Sequence, residues 1–266
     1  MSRVAEQYKN ASNLDARIAL HTRFSRNNVP WFPWVFGKLT LSEGARVLEL
    51  GCGPAKLWRE NLGRVPESWR VTLTDFSAGM LAEAEVHLKD ADKNLVFQVA
   101  DAQNLPFADA SFDAVIANHM LYHVPDLPQA LSEIKRVLKP DGRFFAATNG
   151  QNHLRELDEL SKLLIPQGIF SASAEVSHAT DFSLETAPTL LAPYFSGVIL
   201  HRPEGDPNLY VSEAEPILAY ILSSVSEVDR QDAVRVAALR EHVEERLGEV
   251  EEIRFTRATG LFEARA

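Results

Sequence analysis

The sequence predicts an α/β fold with a mostly parallel, doubly wound sheet of seven strands. Short apolar segments alternate with segments of helical period, which is the pattern of strands joined by crossover helices. The first apolar segment runs directly into the glycine turn 51–53, and Asp75 ends the second. This order of strand, glycine turn, helix, strand and carboxylate is typical of a Rossmann-like unit that binds adenosine.

The strands are short and largely apolar, as strands buried on both faces should be. They are predicted at 46–50, 71–74, 95–99, 114–117, 143–148, 197–201 and 252–257, with a second run near Leu261. Helices are expected after Ser77 and Asp126, where apolar residues recur at helical spacing behind a good capping residue. Further helices are predicted near 152–164, 187–194, 212–223 and 231–247.

Composition limits the classes of function that the chain can serve. The 266 residues carry a formal net charge of −10 and include one cysteine. The acidic balance disfavours nucleic-acid binding, which depends on clustered Lys and Arg. One cysteine cannot form an internal disulfide, which favours a reducing compartment. Because the N-terminus is too polar for a signal peptide and no apolar stretch is long enough to cross a bilayer, we expect a cytoplasmic protein without a membrane partner.

The carboxylate of Glu49 narrows the choice of nucleoside. It comes just before the glycine turn, where it would repel the pyrophosphate of a dinucleotide and attract the ammonium group of an amino acid. S-adenosylmethionine has such an ammonium group and no phosphate. The residues therefore favour S-adenosylmethionine as the cofactor.

The same residues resemble the motifs of the class I S-adenosylmethionine-dependent methyltransferases, in particular the small-molecule group that includes the ubiquinone and menaquinone methyltransferases. The matching segments are 49–55, 74–77, 100–102 with 105–107, 112–115 and 136–142. Several motifs in the right order are more specific than one glycine pattern. Two positions depart from the family pattern: Ala55 stands where many members have a third glycine, and Asp141 replaces the first glycine of a Pro-Gly-Gly turn.

The resemblance implies three parts of the chain. Residues 1–40 would form an N-terminal helical cap, and residues 41–150 the core that binds S-adenosylmethionine. Residues 151–266 would complete the same sheet and carry a helical substrate lid, inserted before the last strand. A cap of this kind closes over the donor to exclude water and to hold the acceptor.

Nine residues are predicted to contact the cofactor: Glu49, Gly51, Cys52, Gly53, Asp75, Phe76, Asp101, Ala102 and Asn118. The glycines let the backbone approach the cofactor, and Asp75 has two oxygens for the two ribose hydroxyls. The resemblance places Phe76 on the adenine face, and Asp101 with the backbone of Ala102 on the adenine edge. Plainer interpretations exist for each feature: an ordinary strand-to-helix turn, a helix-capping Asp75 and a loop aspartate at 101.

Methyl transfer needs alignment of donor and acceptor and, for a hydroxyl acceptor, removal of a proton. His123 is the candidate catalytic base, with Tyr122 beside it, because some similar methyltransferases have a catalytic histidine nearby; a structural role for His123 is an equal alternative. His119 and His123 have the spacing of some metal ligands, but no third ligand follows, so no metal is predicted. Cys52 is expected to be a packing residue rather than a nucleophile.

Contact with the acceptor is predicted for five residues: Tyr8, His21, Trp31, Trp34 and His119. All but His119 fall within the predicted cap. Aromatic residues such as Trp31 and Trp34 belong more often to a core than to a ligand cage, and that alternative stays open.

The sequence therefore predicts an S-adenosylmethionine-dependent methyltransferase that acts on an oxygen, nitrogen or carbon atom of a small organic acceptor, such as a lipid-like, quinone-like or specialised metabolite. An NAD-dependent oxidoreductase is the alternative enzyme. A regulator that binds S-adenosylmethionine without turnover is the alternative from another class, because fold and cofactor site do not prove chemistry. Partners other than a small molecule are not expected, and a homo-oligomer is left open.

Overall fold

The computed structural model describes residues 12–27, 29–91, 93–169 and 182–266. Their contacts separate into two units. The sheet unit comprises residues 29–151, 182–203 and 259–266 of the described chain, and the helical unit comprises residues 12–27, 152–169 and 204–258. Each unit has its own hydrophobic core.

The strands confirm the predicted fold class. They are β1 (Arg46–Leu50), β2 (Arg70–Asp75), β3 (Asn94–Val99), β4 (Phe112–Asn118), β5 (Leu138–Asn149), β6 (Ser196–His201), β7 (Leu209–Val211), β8 (Ile253–Phe255) and β9 (Thr259–Arg265). Seven of them form one sheet in the order β3-β2-β1-β4-β5-β9-β6. Strand β9 runs antiparallel to both of its neighbours, β5 and β6, and the other six strands of this sheet share one direction.

The parallel strands bring several predicted site residues to one edge of the sheet. Leu50 at the end of β1 lies opposite Thr74 of β2 and Ala117 of β4. The residues that follow, Gly51, Asp75 and Asn118, therefore leave the sheet side by side. In open parallel sheets this carboxyl edge is where ligands bind.

The helices are α1 (Ser12–Phe24), α2 (Trp31–Lys38), α3 (Lys56–Arg59), α4 (Ala78–Leu88), α5 (Leu127–Val137), α6 (Arg155–Ser161), α7 (Ala187–Leu191), α8 (Ala214–Ser223), α9 (Glu227–Gln231) and α10 (Ala233–Glu249). The caps predicted for α4 and α5 are present. The Ser77 hydroxyl accepts a hydrogen bond from the backbone N–H of Met80 at 3.3 Å, and the Asp126 carboxylate accepts one from Gln129 at 3.0 Å. These bonds satisfy N–H groups that the first helical turn leaves without partners.

The prediction for the last strand of the main sheet was wrong. The segment 252–257 supplies only β8, which pairs with β7 in a separate two-stranded antiparallel sheet of the helical unit. The run near Leu261 is the strand that joins the main sheet. The burial patterns explain the difference. In β8 buried and exposed residues alternate, as in a sheet covered on one face, whereas six of the seven β9 residues are at least partly buried and four in a row are buried.

The predicted cap of residues 1–40 is divided between the two units. Helix α1 belongs to the helical unit, where Leu20 is fully buried in the core. Helix α2 belongs to the sheet unit, where Val35 and Phe36 are buried. The division follows from burial, because each helix carries apolar side chains into a different core. Residues 1–11 lie outside the described part of the chain.

Across the described ranges, no helix combines the length and the apolar character needed to cross a membrane.

Candidate functional site

A tight glycine turn follows β1 at the carboxyl edge. Gly51 and Gly53 have φ angles of +62° and +54°, which glycine adopts without strain. A Cβ atom on Gly51 would lie 2.8 Å from the Cβ of Met120, so the loop after β4 packs directly against this turn. The buried Cys52 donates its backbone N–H to the carbonyl of Thr74 at 2.9 Å. The turn is thereby fixed between β2 and the loop after β4.

This packing predicts a graded effect of alanine at three glycines. Gly51→Ala should lower the free energy of unfolding by about 2–3 kcal/mol, because left-handed strain and the contact with Met120 add together. Gly44 has φ +71° but open space around it, so Gly44→Ala should cost only the strain, about 1–2 kcal/mol. Gly63 has neither a positive φ nor a neighbouring atom in the way of a Cβ, so Gly63→Ala should cost the least of the three. Urea unfolding of the three variants measures the order, and an equal loss at positions 44 and 51 would contradict the packing.

Ala55, which departs from the family's glycine pattern, has a strained backbone conformation. Ala55 is fully buried and has φ 56° and ψ 37°, the left-handed conformation that favours glycine. The position where many family members have a glycine therefore keeps the glycine conformation with an alanine in it. Asp141, at the other departure, likewise has φ 63°.

The Asp75 carboxylate ties the glycine turn to β2. Its Oδ2 atom accepts a hydrogen bond from the N–H of Gly53 at 2.9 Å, and its Oδ1 atom accepts one from the N–H of Ser77 at 2.8 Å. Burial raises the pKa of Asp75 above its ordinary value, although these N–H groups favour the charged form. Phe76, the next residue, exposes 69% of its surface. An acidic group and an open aromatic face thus stand together at the edge of the sheet.

Glu49 is a buried carboxylate. It is 2% exposed, and its Oε2 atom accepts a hydrogen bond of 2.6 Å from the indole N–H of Trp58 in α3. Burial raises the pKa of Glu49 to about 8 against the opposing effect of this bond, and the nearby Asp75 charge adds to the rise. In the described chain no Lys, Arg or His forms an ion pair with Glu49. The site therefore favours a cation beside this group.

Asp101 lies in a braced loop after β3. The backbone N–H of Gln103 donates to its Oδ1 atom at 2.9 Å, and the Gln103 side-chain amide lies 3.0 and 3.2 Å from its two oxygens. The loop is tied to α5, since Glu133 accepts from the N–H of Leu105 at 2.8 Å and Arg136 donates to the carbonyl of Leu105 at 3.0 Å. Ala102 is buried beneath it. These hydrogen bonds fix the position of the Asp101 carboxylate.

The residues after β4 meet aromatic residues of α2. The indole N–H of Trp31 donates to Oδ1 of Asn118 at 3.4 Å. The Trp31 ring lies 5.2 Å from the His119 ring and 5.1 Å from the Trp34 ring, measured between centroids. His119 has φ 57°, and its Nε2 atom lies 3.5 Å from Oγ1 of Thr259. A non-glycine residue in this conformation is common at functional sites. The structure thus brings together four of the predicted residues.

Tyr122 and His123 lie in a short 3-10 turn, Leu121–His123, directly after Met120. Their rings are 4.5 Å apart at 65° to each other. The backbone N–H of His123 donates to the carbonyl of Met120 at 2.9 Å. Because Met120 packs on Gly51, the turn that carries His123 is attached to the same corner of the sheet as the glycine turn.

The other predicted residues to be placed are His21, Tyr8 and Cys52. His21 belongs to the helical unit, where its ring lies 5.6 Å from that of His153 and 6.3 Å from that of Tyr220. Tyr8 lies outside the described residues. Burial raises the pKa of the Cys52 thiol well above its ordinary value, which disfavours a thiolate nucleophile. Over the described ranges, no three His, Cys, Asp or Glu side chains are grouped as metal ligands.

Comparison with known proteins finds a family match for part of the chain. Residues 48–146 match the family described as a methyltransferase domain. A demethylmenaquinone methyltransferase of Lactobacillus johnsonii is 36% identical over 144 residues, which are 53% of this chain and 56% of that protein. Residues 48–146 are therefore similar to the methyltransferase domains of the class I S-adenosylmethionine-dependent methyltransferases. S-adenosylmethionine is the cofactor of this family.

Two further relatives extend the comparison. A 27-O-demethylrifamycin SV methyltransferase of Amycolatopsis mediterranei is 37% identical over 111 residues, or 40% of this chain and 39% of that protein. The chain thus spans about half the length, or less, of the two curated relatives. A solved phosphoethanolamine N-methyltransferase 2 of Haemonchus contortus, in complex with S-adenosyl-L-methionine, has a TM-score of 0.59 at 18% identity over 99% of this chain and 59% of that chain. The structural likeness supports the fold.

The residues of the site fit this cofactor. Glu49 is a buried carboxylate with no cation beside it among the described residues, which suits the ammonium group of the methionine portion. Asp75 keeps lone pairs for the ribose hydroxyls beyond the two backbone bonds that it accepts. The glycine turn supplies close-approaching backbone between them.

Three residues of the site were not predicted from the sequence. Trp58 is the hydrogen-bond donor to Glu49, Met120 is the neighbour of Gly51, and Gln103 is the donor to Asp101. Gln103 could have been found, since it follows Asp101 by two residues, a common spacing for a side chain that turns back on a loop. Nothing in the spacing of Trp58 or Met120 identifies their partners.

Proposed function

We propose that this chain transfers the methyl group of S-adenosylmethionine to an oxygen, nitrogen or carbon atom of a small organic acceptor. One observation carries the proposal. Glu49 on β1, Asp75 at the end of β2 and Asp101 shortly after β3 follow three neighbouring parallel strands toward one edge of the sheet, where Asp75 binds the glycine turn. That arrangement suits an adenosine with a positively charged amino-acid end and no phosphate.

Each carboxylate is assigned one part of the cofactor. Glu49 would pair with the ammonium group, Asp75 would accept from the ribose hydroxyls, and Asp101 would accept from the adenine amine. Phe76 offers an exposed ring for the adenine face. The backbone of Gly51, Cys52, Gly53 and Ala102 and the side chain of Asn118 would complete the contacts. The cofactor supplies a methyl group bonded to a positively charged sulfur, which is a good leaving group.

The aromatic residues near Asn118 favour an acceptor with an apolar or aromatic body. The Trp31 ring lies 5.1 Å from the Trp34 ring and 5.2 Å from the His119 ring, and all three side chains are partly exposed. Flat apolar surfaces of this kind bind flat apolar ligands and leave their polar groups free. The names of two relatives, which act on demethylmenaquinone and 27-O-demethylrifamycin SV, support small organic acceptors.

The test is the transfer of label. The protein is incubated with S-adenosylmethionine labelled in its methyl group and a panel of quinols, phenols and amines, and labelled product is measured together with S-adenosylhomocysteine. We expect labelled product from at least one aromatic acceptor, and much less from the Asp75→Ala variant at the same concentration of S-adenosylmethionine. Binding of S-adenosylmethionine without any transfer would support the non-catalytic regulator instead. Binding of NAD without S-adenosylmethionine would support an oxidoreductase.

We propose His123 as the group that takes the proton of a hydroxyl acceptor. His123→Gln should lower kcat by about 10- to 100-fold, at or below the low end of the range for general bases, because a nucleophile needs less activation when the leaving group is good. The affinity for S-adenosylhomocysteine should stay unchanged, since the cofactor contacts are elsewhere. The pH dependence of kcat at saturating S-adenosylmethionine checks this assignment: the kcat of the wild type should fall as the imidazole is protonated, and that of the variant should not. Equal profiles would assign His123 a structural role.

A further inference from the structure

Glu49 and Trp58 form a rigid pair in the core of the sheet unit. Both side chains are buried, and Trp58 is fully so. The indole ring lies edge-on to Phe36, with centroids 6.2 Å apart at 90°, so its direction is fixed by packing. Its N–H reaches one oxygen of Glu49, Oε2, at 2.6 Å. The other oxygen has no hydrogen-bond donor among the described residues.

Burial and the charge of Asp75 favour the neutral form of Glu49, whereas the hydrogen bond from Trp58 favours the charged form. Asp75 on β2 is acidic, the Cys52 thiol on the glycine turn interacts with Glu49 electrostatically, and Trp58 on α3 is neutral. The single indole bond opposes the cost of burial without cancelling it, because the pKa of Glu49 still rises to about 8. At pH 7 the cofactor-free protein therefore holds Glu49 mainly as a carboxylic acid.

We propose that Trp58 is a positioning residue for cofactor binding: it holds Oε2 of Glu49, directs Oε1 toward the ammonium group of the cofactor, and lets Glu49 release a proton when the cofactor binds. The inference rests on the proposed function, since it needs the cofactor's amino-acid end at Glu49. In this step the O–H bond of the Glu49 carboxylic acid breaks and its proton goes to the buffer. The resulting carboxylate pairs with an ammonium group that is already protonated, and no oxidation or reduction occurs.

Calorimetry in two buffers with different ionisation enthalpies measures the number of protons released when a ligand binds. The probe is S-adenosylhomocysteine, and the matched probe is 5′-methylthioadenosine, which lacks the amino-acid end. At pH 7 we expect the release of about 0.9 proton per S-adenosylhomocysteine bound, from the fraction of Glu49 that is protonated, and almost none with 5′-methylthioadenosine. The affinity for S-adenosylhomocysteine should rise between pH 6 and pH 8, while the affinity for 5′-methylthioadenosine should stay level.

Three variants distinguish a positioning role of Trp58 from a role in packing alone. Glu49→Gln should abolish the proton release. Trp58→Phe removes the bond that favours the charged form, so it should weaken S-adenosylhomocysteine about 10-fold at pH 7 and move the rise in affinity to higher pH. Trp69→Phe is the matched control. Trp69 is also buried, packs on Phe36 at 6.0 Å and donates to the carbonyl of Ser42, away from Glu49.

The outcomes distinguish this inference from the proposed function. Unchanged binding of 5′-methylthioadenosine by Trp58→Phe shows that the variant is folded. Binding of S-adenosylhomocysteine without proton release, or a pH profile of Trp58→Phe equal to that of the wild type, overturns the inference and leaves the proposed function standing. If S-adenosylhomocysteine does not bind to the wild type at any pH, the proposed function fails and the inference fails with it.

Discussion

Replacing Asp75 by alanine is expected to weaken the binding of S-adenosylhomocysteine by about 2–4 kcal/mol, or about 30- to 1000-fold. Two hydrogen bonds to the ribose would be lost in a partly buried site. The structure adds a second reason for the loss. Asp75 accepts from the N–H groups of Gly53 and Ser77, so its removal also frees the glycine turn that approaches the cofactor. The two effects act in the same direction.

Calorimetric titration of three variants checks this result. Asp75→Asn keeps one acceptor oxygen and should lose less affinity than Asp75→Ala. Asp113→Asn is the control, because Asp113 lies near the opposite end of a parallel strand, where it pairs with Lys139 at 2.7 Å and accepts from the N–H of Arg46 at 2.8 Å. Its affinity should match the wild type. An unchanged affinity in Asp75→Ala would show that Asp75 does not bind the ribose.

The fold of the sheet unit could be predicted from the sequence because each strand is marked by its own residues and by the residue at its end. Each central strand is an apolar run that ends at a glycine, an acidic residue or an amide, and each end marks the same edge of the sheet. Arg46–Leu50 was predicted with the bounds that the structure has. The neighbouring strands differ from their predicted bounds by one or two residues. Parallel register then places Glu49, Asp75 and Asn118 near each other without further information.

What the sequence could not show depends on contacts between distant residues. The segments 253–255 and 259–265 are both apolar, and only their partners decide which one joins the main sheet. Trp58 follows Glu49 by nine residues across a turn whose left-handed angles at Gly51, Gly53 and Ala55 set the direction of α3. No periodicity encodes that direction. The division of residues 1–40 between two cores is equally non-local, since helical period alone does not specify the core in which a helix is buried.

Replacing Glu49 by glutamine is expected to change the pH dependence of the stability of the cofactor-free protein. The pKa of Glu49 is about 8 in the folded chain, against an ordinary value of 4.5 when unfolded. The stability from the protonated group is therefore fully present below pH 4.5 and is lost as the pH rises through 8. The total is roughly 3–5 kcal/mol. Glutamine has no proton to lose, so it keeps the stability of the neutral group at every pH.

The measurement is urea unfolding of the wild type and of Glu49→Gln at pH 5 and pH 9 without cofactor. The free energy of unfolding of the variant, relative to the wild type, should rise by roughly 3–5 kcal/mol between these two values. Glu133→Gln is the control with the opposite shift. The hydrogen bond from Arg136 lowers the pKa of Glu133, so its contribution is present above an ordinary pKa of 4.5 and changes little from pH 5 to pH 9. A constant difference for Glu49→Gln would mean that Glu49 is already charged in the free protein, and that cofactor binding meets a carboxylate rather than an acid.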